Sequence, residues 1–187
     1  MVTQLSKRLF TVEQYHQMAS VGILGEHDRV ELLEGEIVEM SPIGSLHAAH
    51  VKRLIKLLSR LVGDDAIIAA QDPVYLSDRS EPQPDLALLK PQSDFYASGH
   101  PRSEDVFLLI EVADTTIDTD REVKVPLYAS HVIAEVWLID IQAQTVEVYL
   151  EPMPKGYQKS RICKKGQTLT VKALPNISFT VDEILGL

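Results

Sequence analysis

At 187 residues, with 45% hydrophobic content and a formal net charge of −9, the chain is sized for one ordinary globular domain spanning 1–187. That charge argues against a protein that coats nucleic acid nonspecifically, because duplex binding is dominated by Lys and Arg neutralising phosphates, yet it leaves room for a nuclease with a local basic surface. No run approaches the roughly 18–20 apolar residues that span a bilayer, residues 1–10 lack the apolar segment of a secretory signal, and the single cysteine, Cys163, forms no internal disulfide; no membrane association and a cytoplasmic location are expected.

Thr11-Val12-Glu13-Gln14 has the form of a capping box, with Phe10 and Tyr15 at the positions of a hydrophobic staple, and predicts a short helix over 11–20. Residues 29–40 read as two alternating runs joined at Glu34-Gly35, a hairpin signal whose glutamates are expected to be solvated, with Glu31 and Glu36 the candidates to face a site. This helix and hairpin make up an N-terminal part, 1–44. A helix is then expected over 45–62, stopped by Gly63, with Val51, Leu54, Leu58 and Leu61 as its buried stripe. Lys52, Lys56 and Arg60 recur at i, i+4 and i+8 and read either as solvated charge or as possible phosphate contacts. His47 and His50 stand one turn apart, a spacing able to chelate a metal, but no Cys, Asp or Glu in that turn completes a zinc site.

Residues 66–76 read as a strand interrupted near Pro73, and a polar turn over 77–83 leads to a second strand over 84–89 with Asp85 at its mouth. After a loop over 90–105, residues 106–112 form a continuously apolar strand that ends in Glu111. An unpaired carboxylate buried there would cost several kcal/mol, so it needs a metal, a lysine or exposure. Asp118-Thr119-Asp120 supplies N-cap candidates for a helix on which Asp120, Lys124 and Tyr128 share one face; Pro126 requires that helix to start later or to kink. Residues 134–140 form a further strand, 145–150 one that can pair with it, and 156–173 two more turning near Lys164-Lys165-Gly166. Thr180 to Glu183 caps a last short helix. The core is thus expected over 45–140, with 141–187 adding strands and a helix. A glycine-rich phosphate loop, a nucleophile elbow and a Cys-x-x-Cys pair are all missing from the sequence.

Pro84-Asp85, Glu111-Val112, Lys124 in the next helix and Glu135 to Asp140 come in an order that resembles the Uma-type endonucleases expanded in cyanobacteria, within the PD-(D/E)xK restriction-endonuclease-like superfamily. Glu31-Leu32-Leu33-Glu34-Gly35-Glu36, Ser41-Pro42 ahead of His47, and Gly156-Tyr157 follow the same pattern, so the resemblance runs along nearly the whole chain. It implies an α/β (mixed α+β) fold, a restriction-endonuclease-like central mixed sheet flanked by helices, with an N-terminal helix and hairpin and extra C-terminal strands. It also implies a Mg²⁺-dependent DNA endonuclease that hydrolyses phosphodiester bonds, and exposed strands together with paired cleavage favour a homodimer. Asp85 and Glu111 would bind the metal, with Mn²⁺ a substitute, and act with Lys124 as catalytic residues; His47, Glu36 and Asp114 are accessory candidates.

Hydrolysis of a phosphodiester requires neutralised phosphate charge, a nucleophilic water and a stabilised leaving oxygen, which hard cations held by carboxylates can supply. The chain departs from the superfamily where the usual lysine, two residues after the strand glutamate, is Ala113. An active site therefore requires Lys124 to take that lysine's place. Asp114-Thr115-Thr116 occupies the position of the usual Ser-Pro turn, where Asp114 either adds a ligand or caps the turn. The competing readings are a catalytically silent nucleic-acid- or protein-binding module on the same fold, and a phosphodiesterase acting on RNA or a small ester.

Overall fold

The computed structural model describes residues 6–25 and 27–187, so part of the stretch read for a secretory signal lies outside the described residues. Among the described residues no helix is long and apolar enough to cross a membrane. Helix α1 (Val12–Ser20) starts at the expected capping box: Gln14 N–H donates to the Thr11 hydroxyl, and the Thr11 N–H to the Gln14 side chain. Strands β1 (Val30–Leu33) and β2 (Glu36–Glu39) form the expected hairpin. Its turn has φ of 49° at Glu34 and 85° at Gly35, and a Cβ on Gly35 would stand 2.7 Å from the Leu9 Cβ, so the position needs glycine.

Six strands build the central sheet in the order β3 (Ile67–Ala70), β4 (Leu86–Leu89), β5 (Val106–Ala113), β6 (Glu135–Asp140), β7 (Thr145–Met153) and β8 (Gly156–Cys163). Neighbours are antiparallel except β5 and β6, which run parallel and are joined by a helical crossover: α3 (Ile117–Thr119), a π turn (Asp120–Lys124) and α4 (Val125–Ser130). Alternation along the strands divides the core between the two faces. Leu108, Ile110 and Trp137 face α2 (Ser45–Val62) and its Leu54 and Leu58, whereas Leu109, Val136 and Leu138 face Val125 and Tyr128 of α4. The mixed sheet with flanking helices is the architecture expected from the sequence. A small sheet of β9 (Thr168–Val171) and β10 (Leu174–Thr180), followed by α5 (Val181–Leu185), extends the α2 side of the core, with Phe179 edge-on to Trp137 at 5.8 Å.

Several local readings need correction. Leu61 is 37% exposed, because the stripe of α2 proceeds from Leu54 to Leu58 to Val62 in steps of four, and Val62 takes the last core position. The strand read over 66–76 ends at Ala70, since Gln71 adopts φ of 57° and turns the chain ahead of Pro73. The two strands expected over 156–173 do not pair with each other: β8 pairs with β7, and β9 with β10, a strand hidden in the sequence by Pro175 and Asn176. Thr116, not Asp118 or Asp120, occupies the N-cap position of the crossover helix.

Candidate active site

The β4–β5 register pairs Leu86 with Ile110. One step further along that register, Asp85 at the mouth of β4 comes alongside Glu111 near the end of β5. The Asp85 Oδ2 accepts the Val112 N–H at 2.8 Å and lies 3.0 Å from His47 Nε2, which the first turn of α2 brings over the end of the sheet. Gln71 Nε2 donates to the other oxygen at 3.4 Å. Glu111 shares a strand face with Leu109 and Ala113, under the crossover helices, and is 2% exposed. Its Oε1 accepts the Tyr128 hydroxyl at 2.5 Å and lies 3.3 Å from Lys124 Nζ. Lys124 is itself buried and stands 3.2 Å from Glu31 Oε2, which also accepts the Gln83 N–H at 3.0 Å. Asp120, also buried, accepts the Thr116 hydroxyl at 2.6 Å. Glu31, His47, Asp85, Glu111, Asp120 and Lys124 all line one cavity of about 450 Å³.

The π turn is what aims the crossover at this cavity. In an α-helix the Pro126 ring would press on the carbonyl one turn back; here the backbone widens first, with Val125 N–H bonded to the Asp120 carbonyl five residues earlier. Pro126 then falls in the first turn of α4, just after the widened turn. The outward side of the turn is tied to β7 by Arg121, whose guanidinium donates to Glu147 at 2.6 Å. Asp120, Lys124 and Tyr128 are buried together as a result.

Four carboxylates thus surround one ammonium, and the imbalance shows in the proton affinities of Glu111 and Asp120. Burial, with Asp120 and Asp85 adding to it against the opposing Lys124, pushes the Glu111 carboxyl up to about 8. Burial likewise raises Asp120. For Lys124 burial acts downward, but the charges of Glu111, Glu31, Asp120 and Asp85 outweigh it and hold the ammonium firmly protonated. The hydrogen bond to Asp85 is the main cause of a raised His47, whose buried Nδ1 has no partner among the described residues.

Lys124 therefore reaches Glu111 from the helix, on the face where Ala113 offers no amine. Asp114 stands at the cavity rim with its Oδ1 bonded to Gln142 Nε2 at 2.7 Å. Glu36 does not join the cluster: it sits at the turn end of the hairpin, opposite Leu33 and two residues along from Glu31, exposed and in an ion pair with Lys7 at 2.9 Å. His47 and His50 do not converge, since His50 Nδ1 bonds the Leu46 carbonyl within α2. Lys52, Lys56 and Arg60 lie exposed along α2 outside the cavity wall, with Arg60 3.8 Å from Glu183. Sequence reasoning passed over Asp120 as a cap candidate and Tyr128 as a helix-face residue; their shared helical face with Lys124 was the available signal. Strand alternation in the sequence does not distinguish Glu31 from Glu36.

The donors are hard carboxylate oxygens, and a divalent cation would favour the ionised form of Glu111 that burial and its acidic neighbours disfavour, so the residues fit a Mg²⁺ or Mn²⁺ ion. They are arranged around Lys124 rather than converged on one point. Among the described residues the group of three donors lying within 4.8 Å of one another is His16, Glu81 and His100, outside this cavity. Mg²⁺ commonly takes one or two carboxylates and keeps water and substrate oxygens for its other positions, so it does not require all the acids to converge.

A family model, Uma2, described as "Putative restriction endonuclease", matches residues 12–182. The fold is similar to the crystal structure of "a putative nuclease belonging to DUF820" from Anabaena variabilis, with a TM-score of 0.71 and 16% identity over 95% of this chain and 98% of that one. A search of the curated proteins finds no match to the sequence.

Proposed function

Because the chain belongs to the Uma2 restriction-endonuclease family, we propose that it is a Mg²⁺-dependent DNA endonuclease whose reaction takes place in the cavity between Asp85, Glu111 and Lys124. The observation that carries this reading is the crowding of four carboxylates around the Lys124 ammonium at the adjoining ends of β4 and β5.

Asp85 and Glu111 would hold the ion. When bound, it supplies positive charge against the scissile phosphate and a more acidic water. Glu111 must give up its proton to act as a ligand, and the Tyr128 hydroxyl fixes the oxygen that faces Lys124. The Lys124 ammonium, shared between Glu111 and Glu31, is positioned to donate to a phosphate oxygen or to orient the attacking water, the part played elsewhere in the superfamily by the strand lysine. His47 and the Val112 N–H keep Asp85 turned into the cavity. Lys52 and Lys56, exposed on α2, are the candidates for phosphate contacts along the duplex, and the outer edge of β8 is the surface through which a homodimer would form.

Supercoiled plasmid DNA incubated with the protein and Mg²⁺ tests the reading. Relaxation or linearisation is expected, absent with EDTA and absent in Asp85→Asn and Glu111→Gln proteins whose circular dichroism is unchanged. Plasmid left intact by wild-type protein with Mg²⁺ or Mn²⁺, or cut equally by these variants, would overturn it in favour of a silent binding module.

A further inference from the structure

A second cluster lies away from the carboxylate cavity. We propose that His16, Glu81 and His100 form a Zn²⁺ site, with the fourth position of the ion left to water. Three elements distant in sequence deliver the ligands: His16 from α1, Glu81 from the segment leading to β4, and His100 from the loop before β5. One donor atom from each lies within 4.8 Å of the others, and His16 Nε2 is 2.6 Å from Glu81 Oε1. Zn²⁺ bonds of about 2.0–2.1 Å in a tetrahedron set their ligand atoms roughly 3.4 Å apart, so the ion enters with sub-ångström to ångström shifts of side chains, two of them on exposed imidazoles.

Backbone bonds hold all three positions. Val12 N–H bonds the Asp78 carbonyl, fixing α1 to the turn before Glu81; Glu81 N–H bonds Leu32 of β1; Tyr75 N–H bonds the carbonyl of Pro101, next to His100. The Glu81 side chain is 3% exposed, and its ion-pair partner among the described residues is His16 alone. A buried carboxylate facing two imidazoles, with no lysine or arginine among the described residues in ion-pair contact with it, calls for a cation; two histidines and a glutamate select Zn²⁺ over the hard ions expected at Asp85 and Glu111. The cluster opens on a cavity of about 970 Å³, which gives the ion a path in. Its anchoring segment continues through Gln83, bonded to Glu31, to Asp85, so the ion would brace the strand mouth that supports the other cavity.

Equilibrium dialysis of tag-free, full-length protein against ZnCl₂, read by elemental analysis, tests this site independently of any nuclease activity. One Zn²⁺ per chain is expected, kept in Glu111→Gln and Asp85→Asn. His16→Ala and His100→Gln should each weaken it by more than the roughly 10–100-fold typical of losing a residue that merely supports a ligand. Zn²⁺ should also raise the midpoint of thermal unfolding in wild type and not in these two variants, and Co²⁺ should give visible absorption of tetrahedral intensity. Both histidines are exposed, so the variants are expected to fold, and unchanged circular dichroism checks that; should His16→Ala fail it, His100→Gln alone decides. No bound Zn²⁺ in wild type, binding undiminished in folded His100→Gln, or binding lost in Glu111→Gln would each overturn the proposal.

Discussion

Glu111 and Glu135 are buried glutamates on neighbouring parallel strands, 2% and 1% exposed, and burial raises the carboxyl pKa of both. Their surroundings differ in kind. Glu135 has one neutral donor for each oxygen, Trp137 Nε1 and the Lys172 N–H, both at 2.7 Å, and so ties β6 to the turn between β9 and β10. Glu111 has a hydroxyl and an ammonium on the same oxygen, with the like charges of Asp85 and Asp120 nearby. Burial of an acid therefore does not separate a site from a structural joint. What sets the proposed site apart is crowding with like charge around a shared cation, an arrangement whose electrostatic repulsion a bound metal and a phosphate would relieve.

The largest expected contrast follows from exchanging each acid for its amide. Glu111→Gln should lower metal-dependent cleavage at least about a hundredfold, in keeping with the several kcal/mol that a metal supplies to a transition state. Without metal, and above the Glu111 pKa of about 8, the same change should leave stability unaltered or raised, since it removes a buried charge. Glu135→Gln should do the reverse: cleavage by the folded protein is kept, while stability falls by about 1–3 kcal/mol as a buried donor loses its acceptor. Denaturant titration and plasmid cleavage on both variants decide this, and loss of activity without loss of stability in Glu135→Gln would erase the distinction.

Lys124→Met sharpens it next. Removing the cation from between Glu31 and Glu111 leaves uncompensated buried carboxylates, and a stability loss of about 3–5 kcal/mol is expected by denaturant titration. Turnover should fall more than metal affinity, by roughly 10²–10³-fold if the ammonium stabilises the transition state. Cleavage undiminished in folded Lys124→Met would remove this lysine from the chemistry.

How much of this contrast the sequence carries depends on the range of the interactions. The capping boxes at Thr11 and Thr180 and the Glu34-Gly35 turn are local, and each stands in the structure where it was read. Asp85 and Glu111 were visible as acids at the ends of apolar strands, although only the antiparallel register sets them side by side. Glu31 was ambiguous because its role depends on how the hairpin docks, through the Gly35 N–H on the Arg79 carbonyl and Glu81 N–H on Leu32. Asp120, Lys124 and Tyr128 share a helical face in the sequence, but the π turn that buries them together leaves only Pro126 as its trace. His16, Glu81 and His100 are brought together by three segments with no shared periodicity, and no local pattern announces them.

The smallest effect, a pH dependence, tests the electrostatic basis of the comparison itself. Glu111 is raised from 4.5 to about 8 on folding, so the metal-free folded chain binds its proton more tightly than the unfolded chain does. The resulting stabilisation is fully present below 4.5 and is lost as pH rises through about 8. Wild-type stability should decline across that window more steeply than that of Glu111→Gln, as measured by denaturant midpoints. Mg²⁺ competes with the same proton, so its affinity should rise by up to about tenfold per pH unit across the window and level off above it. Calorimetry in buffers of different ionisation enthalpy would count the proton released. A Mg²⁺ affinity flat from the pKa of an ordinary carboxylate up to about 8 would mean that Glu111 is not a ligand, whatever its neighbours suggest.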